Sequence, residues 1–86
     1  MISFSDRLKE LRKGAGLSQK ALGEDIGASE RSIQSYELGT RKPTLDVINK
    51  LADYFGVTTD YLLGRTNHWL DAEGRVLGTA PPSAEG

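Results

Sequence analysis

Twenty consecutive residues, Gln19 to Leu38, constrain what this chain can fold into more than any other stretch. They read QKALGEDIGASERSIQSYEL. Apolar side chains fall at Leu22, Ile26, Ala28, Ile33 and Tyr36, and small residues at Ala21, Gly23 and Gly27. An α-helix turns once every 3.6 residues, so Leu22 and Ile26 share one face and Ile33 and Tyr36 share another. Between the two pairs lies Gly27, which can take a positive φ at little steric cost. The spacing predicts two short helices crossing at a tight glycine turn, with the small residues letting their backbones approach.

Periodicity and punctuation place three more helices around this pair. The first is expected from about Phe4 to Lys13, with Phe4, Leu8, Leu11 and Ala15 as its apolar stripe and Gly14 and Gly16 as its stop. Ser18 is the expected N-cap of the second, with Leu17 and Leu22 at the positions of a hydrophobic staple. Gly27 ends that helix. Ser29 caps the third, which runs to Leu38 and stops at Gly39. Pro43 and Thr44 open the fourth, whose apolar face is Leu45, Ile48, Leu51, Ala52 and Phe55 and whose terminator is Gly56. Thr58 caps the fifth, which Gly64 closes. The expected core is Leu8, Leu11, Leu17, Leu22, Ile26, Ile33, Leu45, Ile48, Leu51, Ala52, Phe55, Tyr61 and Leu62, with Tyr36 beside it. The fold class is therefore all-α: a compact five-helix bundle with tight loops.

The 86 residues suffice for one small domain. There is no cysteine, which removes disulfides and thiolate metal sites. The single histidine, His68, stands beside Trp69 and reads as packing or surface. No paired acids form a catalytic motif. An enzyme is not expected, and neither a metal nor a cofactor is implied. No apolar run approaches the ~20 residues of a membrane span, and the start MISFSDRLKE lacks a signal-peptide core. The expectation is a cytoplasmic protein without a membrane partner.

Residues 66–86 differ in character from the domain expected over residues 1–65. NHWLDAEGRVLG alternates loosely around the turn-like DAEG, which makes a short hairpin a candidate, with Trp69 and Leu70 on one arm and Val76 and Leu77 on the other. A lone hairpin is marginal in water and needs helices or a second chain to pack on. TAPPSAEG reads as a disordered end.

Two helices around a glycine turn form a helix-turn-helix, a unit that presents the outer face of its second helix to DNA. The net charge of −1 argues weakly against that partner. However, the cations concentrate at Arg7, Lys9, Arg12, Lys13, Lys20, Arg31, Arg41 and Lys42, whereas most later acids lie outside the motif. A small basic face on a neutral body suffices to bind phosphate.

With RLKELRKGAGLSQ, the twenty-residue motif, SYELGTRKPTLDVINKLADYFGV and TTDYLLG in order, the chain resembles the Cro/C1-type helix-turn-helix regulators over about Phe4 to Arg65. The resemblance implies a lambda-repressor-like five-helix domain that binds operator DNA as a dimer, with the third helix in the major groove. It departs from the family pattern at Gly23, where alanine is usual and a small residue is needed because two helices cross.

Residues at the start of a recognition helix reach base edges. Here they are Ser29, Glu30, Arg31, Ser32 and Ser35. Arg31 can donate to O6 and N7 of guanine, and Glu30 can accept from cytosine N4. Their bland alternatives are phosphate contact or solvation for Arg31, and helix-terminus electrostatics for Glu30. Phosphate contacts are expected from Ser18, Gln19 and Lys20 at the start of the second helix, from Arg41 and Lys42 after the third, and from the Tyr36 hydroxyl. The resemblance further implies that Gln19 braces a recognition-helix side chain and that Arg12 and Glu37 form a structural ion pair. Dimerisation candidates are Tyr61, Leu62 and Leu63 of the fifth helix with Trp69, Leu70, Val76 and Leu77.

The functional expectation is a transcriptional regulator, a repressor acting as a homodimer on double-stranded, partly palindromic DNA. The competing expectation is an antitoxin-type module whose C-terminal segment engages a protein partner, for example by strand pairing. A restriction–modification controller belongs to the same family and is not separated from these by the sequence.

Overall fold

The computed structural model describes residues 2–64 in full and the backbone of residues 69–70 and 76–78. Five helices follow one another: α1 (Phe4–Gly14), α2 (Gln19–Ile26), α3 (Glu30–Leu38), α4 (Leu45–Phe55) and α5 (Thr59–Leu62). Each begins at a hydroxyl N-cap. Ser3, Ser18, Ser29, Thr44 and Thr58 each accept the backbone N–H three residues on, satisfying an orphan donor of the first turn. The second to fifth caps fall where the sequence places them.

Twelve apolar side chains form one core: Leu8, Leu11, Leu22, Ile26, Ile33, Tyr36, Leu51, Ala52, Phe55, Val57, Tyr61 and Leu62. Leu17 and Ile48 pack against it while keeping part of their surface exposed. Leu45, expected in the core, is 72% exposed. It is the first residue of α4, and because helical side chains lean toward the N-terminus it projects past the end of the buried stripe of Leu51, Ala52 and Phe55. Ala15 is exposed too, because α1 ends at Gly14 and leaves it as a cap beyond the stripe.

Tyr61 and Leu62 have no exposed surface, so they cannot serve as the dimerisation surface expected of them. They hold α5 to the core. Leu63 keeps some exposure at the helix end. Arg7 is a second correction. The sequence reading puts it in a surface basic cluster, but it is 3% exposed. Its guanidinium stacks 3.8 Å from the centre of the Tyr61 ring and lies 3.7 Å from Glu10. It joins α1 to α5 as a cation–π pair. Removal of the Tyr61 phenol from water raises its pKa.

Gly64 has φ 77° and is buried. A Cβ there would collide with the Ile2 carbonyl, so glycine at this position lets the N-terminal strand of chain run directly over the end of α5.

Beyond the helices, backbone strands β1 (Trp69–Leu70) and β2 (Val76–Gly78) pair antiparallel, Trp69 opposite Gly78 and Leu70 opposite Val76. This is the backbone of the candidate hairpin. The side chains of Trp69, Leu70, Val76 and Leu77, the residue His68 and the expected disordered end lie outside the described residues. Among the described residues, no helix is long and apolar enough to cross a membrane.

Candidate nucleic-acid interface

The crossing of α2 and α3 is built by two glycines with different tasks. Gly27 takes φ 75°, ending α2 in a left-handed cap. The next two amides fold back, Gly27 N–H onto the Glu24 carbonyl at 3.4 Å and Ala28 N–H onto the Gly23 carbonyl at 2.7 Å. This is the paired bonding of a Schellman turn, and it satisfies carbonyls that the helix end would otherwise orphan. Gly23 instead supplies space. A Cβ on it would stand 2.8 Å from the Ala28 carbonyl oxygen and 3.1 Å from the Ser29 carbonyl carbon, both backbone atoms. The departure from alanine therefore accompanies a turn packed more tightly than an alanine admits.

Beyond the turn, Ile33, Tyr36 and Glu37 face inward on α3. Helical geometry then sends Arg31, Ser35 and Leu38 outward on the opposite side. Glu30, Arg31 and Gln34 are exposed, and Ser35 is half-buried. Leu38, which the sequence reading gave no role, is 69% exposed on the same face as Arg31 and Ser35. Its spacing from Arg31, seven residues, was the available signal.

Glu37 anchors this helix from below. Arg12 Nε and Nη2 donate to its two carboxylate oxygens at 2.6 and 3.0 Å. Arg12 Nη1 donates to the Leu17 carbonyl at 2.7 Å, at the entrance to α2. Gln19 Nε2 donates to Glu37 Oε1 at 3.2 Å. One buried carboxylate thus ties α1, the α1–α2 loop, α2 and α3 together. The hydrogen bond to Glu37 favours the charged guanidinium and raises the Arg12 pKa further, against the effect of burial. The ion pair implied by the resemblance is present, and Gln19 braces α3 through Glu37.

Of the remaining candidates, Ser18 and Lys20 are exposed at the start of α2, and Arg41 and Lys42 are exposed after α3. The exposed Arg41 folds back along α3. Its Nη1 donates to Ser32 Oγ at 3.1 Å, and its guanidinium lies 5.8 Å from the Tyr36 ring centre. Ser29 and Ser32 are joined by a hydroxyl–hydroxyl bond of 2.9 Å. Ser29, Ser32, Tyr36 and Arg41 therefore form one flank of α3, beside the face of Arg31 and Ser35. The described residues hold no group of three or more His, Cys, Asp or Glu arranged to bind a metal.

A family model described as helix-turn-helix matches residues 8–62, which span the first through fifth helices. The HTH-type transcriptional regulator ImmR of Bacillus subtilis is 39% identical over 64 residues, covering 74% of this chain and 50% of that protein. The HTH-type transcriptional regulator AnsR of the same organism is 42% identical over 60 residues, covering 70% of this chain and 52% of that protein. The phage CTXphi transcriptional repressor RstR of Vibrio cholerae is 35% identical over 54 residues, covering 63% of this chain and 49% of that protein. The chain thus spans about half the length of these curated relatives. With the matched region, the glycine turn and the Arg12–Glu37 anchor in agreement, this chain belongs to the Cro/C1-type helix-turn-helix family of DNA-binding proteins.

Proposed function

We propose that the chain is a transcriptional regulator that reads a specific double-stranded DNA sequence through α3 and acts as a repressor. The carrying observation is the split of α3 into a buried side (Ile33, Tyr36, Glu37) and an exposed side headed by Glu30 and Arg31. A helix fixed this firmly from behind presents its first turn to the major groove without loss of register. Arg31 is the principal base contact, supported by Ser29, Glu30 and Ser35, with Ser32 beside them in the first turn. Ser18, Gln19, Lys20, Arg41 and Lys42 take the phosphates on either side, whereas Tyr36, 4% exposed in the core, backs Arg41 instead of reaching phosphate itself. Residues 1–65 are the reading domain, and residues 66–86 are an extension that contributes to assembly.

One such domain buries little surface on DNA, which favours a homodimer placing two α3 helices in successive major grooves about 34 Å apart. Leu63 and the segment from Trp69 to Leu77 are the proposed contacts between copies. The operator is then a partial palindrome, and occupancy of a site overlapping a promoter excludes polymerase. The similar RstR is a phage transcriptional repressor.

The test is selection of bound sequences from a random DNA pool. The expected result is one enriched motif with two related half-sites. Arg31→Ala should then cost about 1–3 kcal/mol at one or two base pairs and relax preference there. No enrichment over the starting pool refutes DNA reading. An asymmetric single motif, with monomers in sedimentation, refutes the dimer. Stoichiometric co-purification of a second protein that abolishes enrichment favours the antitoxin-type alternative.

A further inference from the structure

The flank of α3 contains a hydrogen-bond arrangement that assigns Ser32 a different task from the other first-turn residues. Ser29 Oγ accepts the Ser32 N–H at 3.0 Å as the helix cap and donates its own proton to Ser32 Oγ at 2.9 Å. Arg41 Nη1 donates to the same Ser32 oxygen at 3.1 Å. A serine hydroxyl has two acceptor lone pairs and one proton. Both lone pairs of Ser32 are therefore engaged, and only its proton is left to offer. Arg41, meanwhile, sits along the ridge Ser29–Ser32–Tyr36, with the Tyr36 ring beneath it. The ridge lies to the side of the exposed Arg31 and the half-buried Ser35.

Holding a guanidinium beside the first turn of a helix sets a cation next to the positive end of the helix dipole. The Ser32 bond and the aromatic ring offset that cost, and the arrangement is completed by an anion. A phosphate is such an anion: it accepts from the remaining guanidinium N–H groups and from the Ser32 hydroxyl proton together.

Resting on the reading that α3 enters the major groove, we propose that Ser32 is a positioning residue for Arg41 and does not read a base. The two form one unit that clasps the phosphate bordering the base pair read by Arg31, and this sets the register of the recognition helix on the DNA. Phosphate clasping carries no sequence information of its own, so the unit contributes affinity and register alone.

The experiment uses the full chain and the DNA motif that it selects. Ser32→Ala, Arg41→Ala and the double variant are compared by fluorescence anisotropy on that motif and by renewed selection. Circular dichroism confirms folding, which Ser32→Ala preserves because the Ser29 cap remains. Arg41→Ala is expected to lose about tenfold in affinity. Ser32→Ala is expected to lose several-fold, and the double variant no more than Arg41→Ala, since the two act as a unit. Each variant should select the wild-type motif. In the free protein, slowed rotation of the Arg41 guanidinium, read by nitrogen NMR, should disappear in Ser32→Ala. Losses that multiply, or a Ser32→Ala motif changed at one position, overturn the proposal while leaving DNA reading intact. Failure of the wild-type chain to select any motif refutes instead the reading on which the proposal rests.

Discussion

Glu37→Gln tests the anchor that holds α3. The Glu37 side chain is 2% exposed and accepts three hydrogen bonds, two from Arg12 and one from Gln19. Glutamine keeps the shape but replaces one acceptor oxygen by an NH2 group, which faces an Arg12 donor in either orientation because Arg12 donates to both oxygens. It also leaves the Arg12 cation, whose side chain is 12% exposed, without its counter-charge. Breaking a buried pair from one side costs about 3–5 kcal/mol. Arg12 retains its bond to the Leu17 carbonyl and a little solvent contact, which places the expected loss near the lower limit, about 3 kcal/mol. A domain of this size has roughly 3–9 kcal/mol in total, so the variant should be marginal. Urea denaturation followed by circular dichroism gives the number, and thermal melting should shift down by roughly 12–24 °C. The raised Arg12 pKa means that its contribution is complete at every pH below the ordinary arginine range and is lost only above it. The Arg12 share of the effect should therefore be constant across neutral pH. A loss below about 1 kcal/mol would refute the anchor as described. Replacing both partners by leucine should recover most of the stability, because the cost lies in the stranded charge rather than in the missing bridge.

Three further outcomes follow from the fold. Arg7→Met should destabilise by about 1–2 kcal/mol through loss of the stacked contact with Tyr61, yet leave the salt dependence of DNA binding unchanged; a shallower salt slope would show that Arg7 reaches phosphate. Gly64→Ala should cost more than Gly27→Ala in denaturant midpoint: both need positive φ, but only Gly64 faces the Ile2 backbone, whereas a Cβ at Gly27 meets open space. Equal losses would mean that Ile2 moves freely away. Tyr54 donates to Asp25 Oδ2 at 2.6 Å, and that bond raises its pKa by favouring the neutral phenol. Its stabilisation is thus present below the ordinary tyrosine range near 10 and lost as pH rises through the higher folded value. Tyr54→Phe should lose about 0.5 kcal/mol at neutral pH, given its exposure, and no longer show that alkaline step. An unchanged stability–pH curve would refute it.

How far the sequence could be read is clearest on α3. Ser29, Gly39 and the spacing of Ile33 and Tyr36 specify its ends and its buried side, because caps and helical period are local properties. Arg31 and Ser35 follow as outward residues from the same period. Leu45 was misplaced because a period fixes the angle between residues but not where the stripe ends. Arg7 was misplaced because a cation in sequence carries no sign of the aromatic ring that it stacks on, and Tyr61 lies 54 positions away.

The sequence alone thus determined the five helices, the caps of the second to fifth and the glycine turn, since each depends on residues within a few positions of one another. Only the tertiary structure decided that Tyr61 and Leu62 are interior rather than interface and that Gly64 admits the Ile2 backbone. It also decided that Arg41 folds onto Ser32 and that one carboxylate, Glu37, receives both Arg12 and Gln19. Those facts depend on how separate elements dock. Docking is set by shape, by charge and by the need to satisfy every buried polar group among residues far apart in the chain.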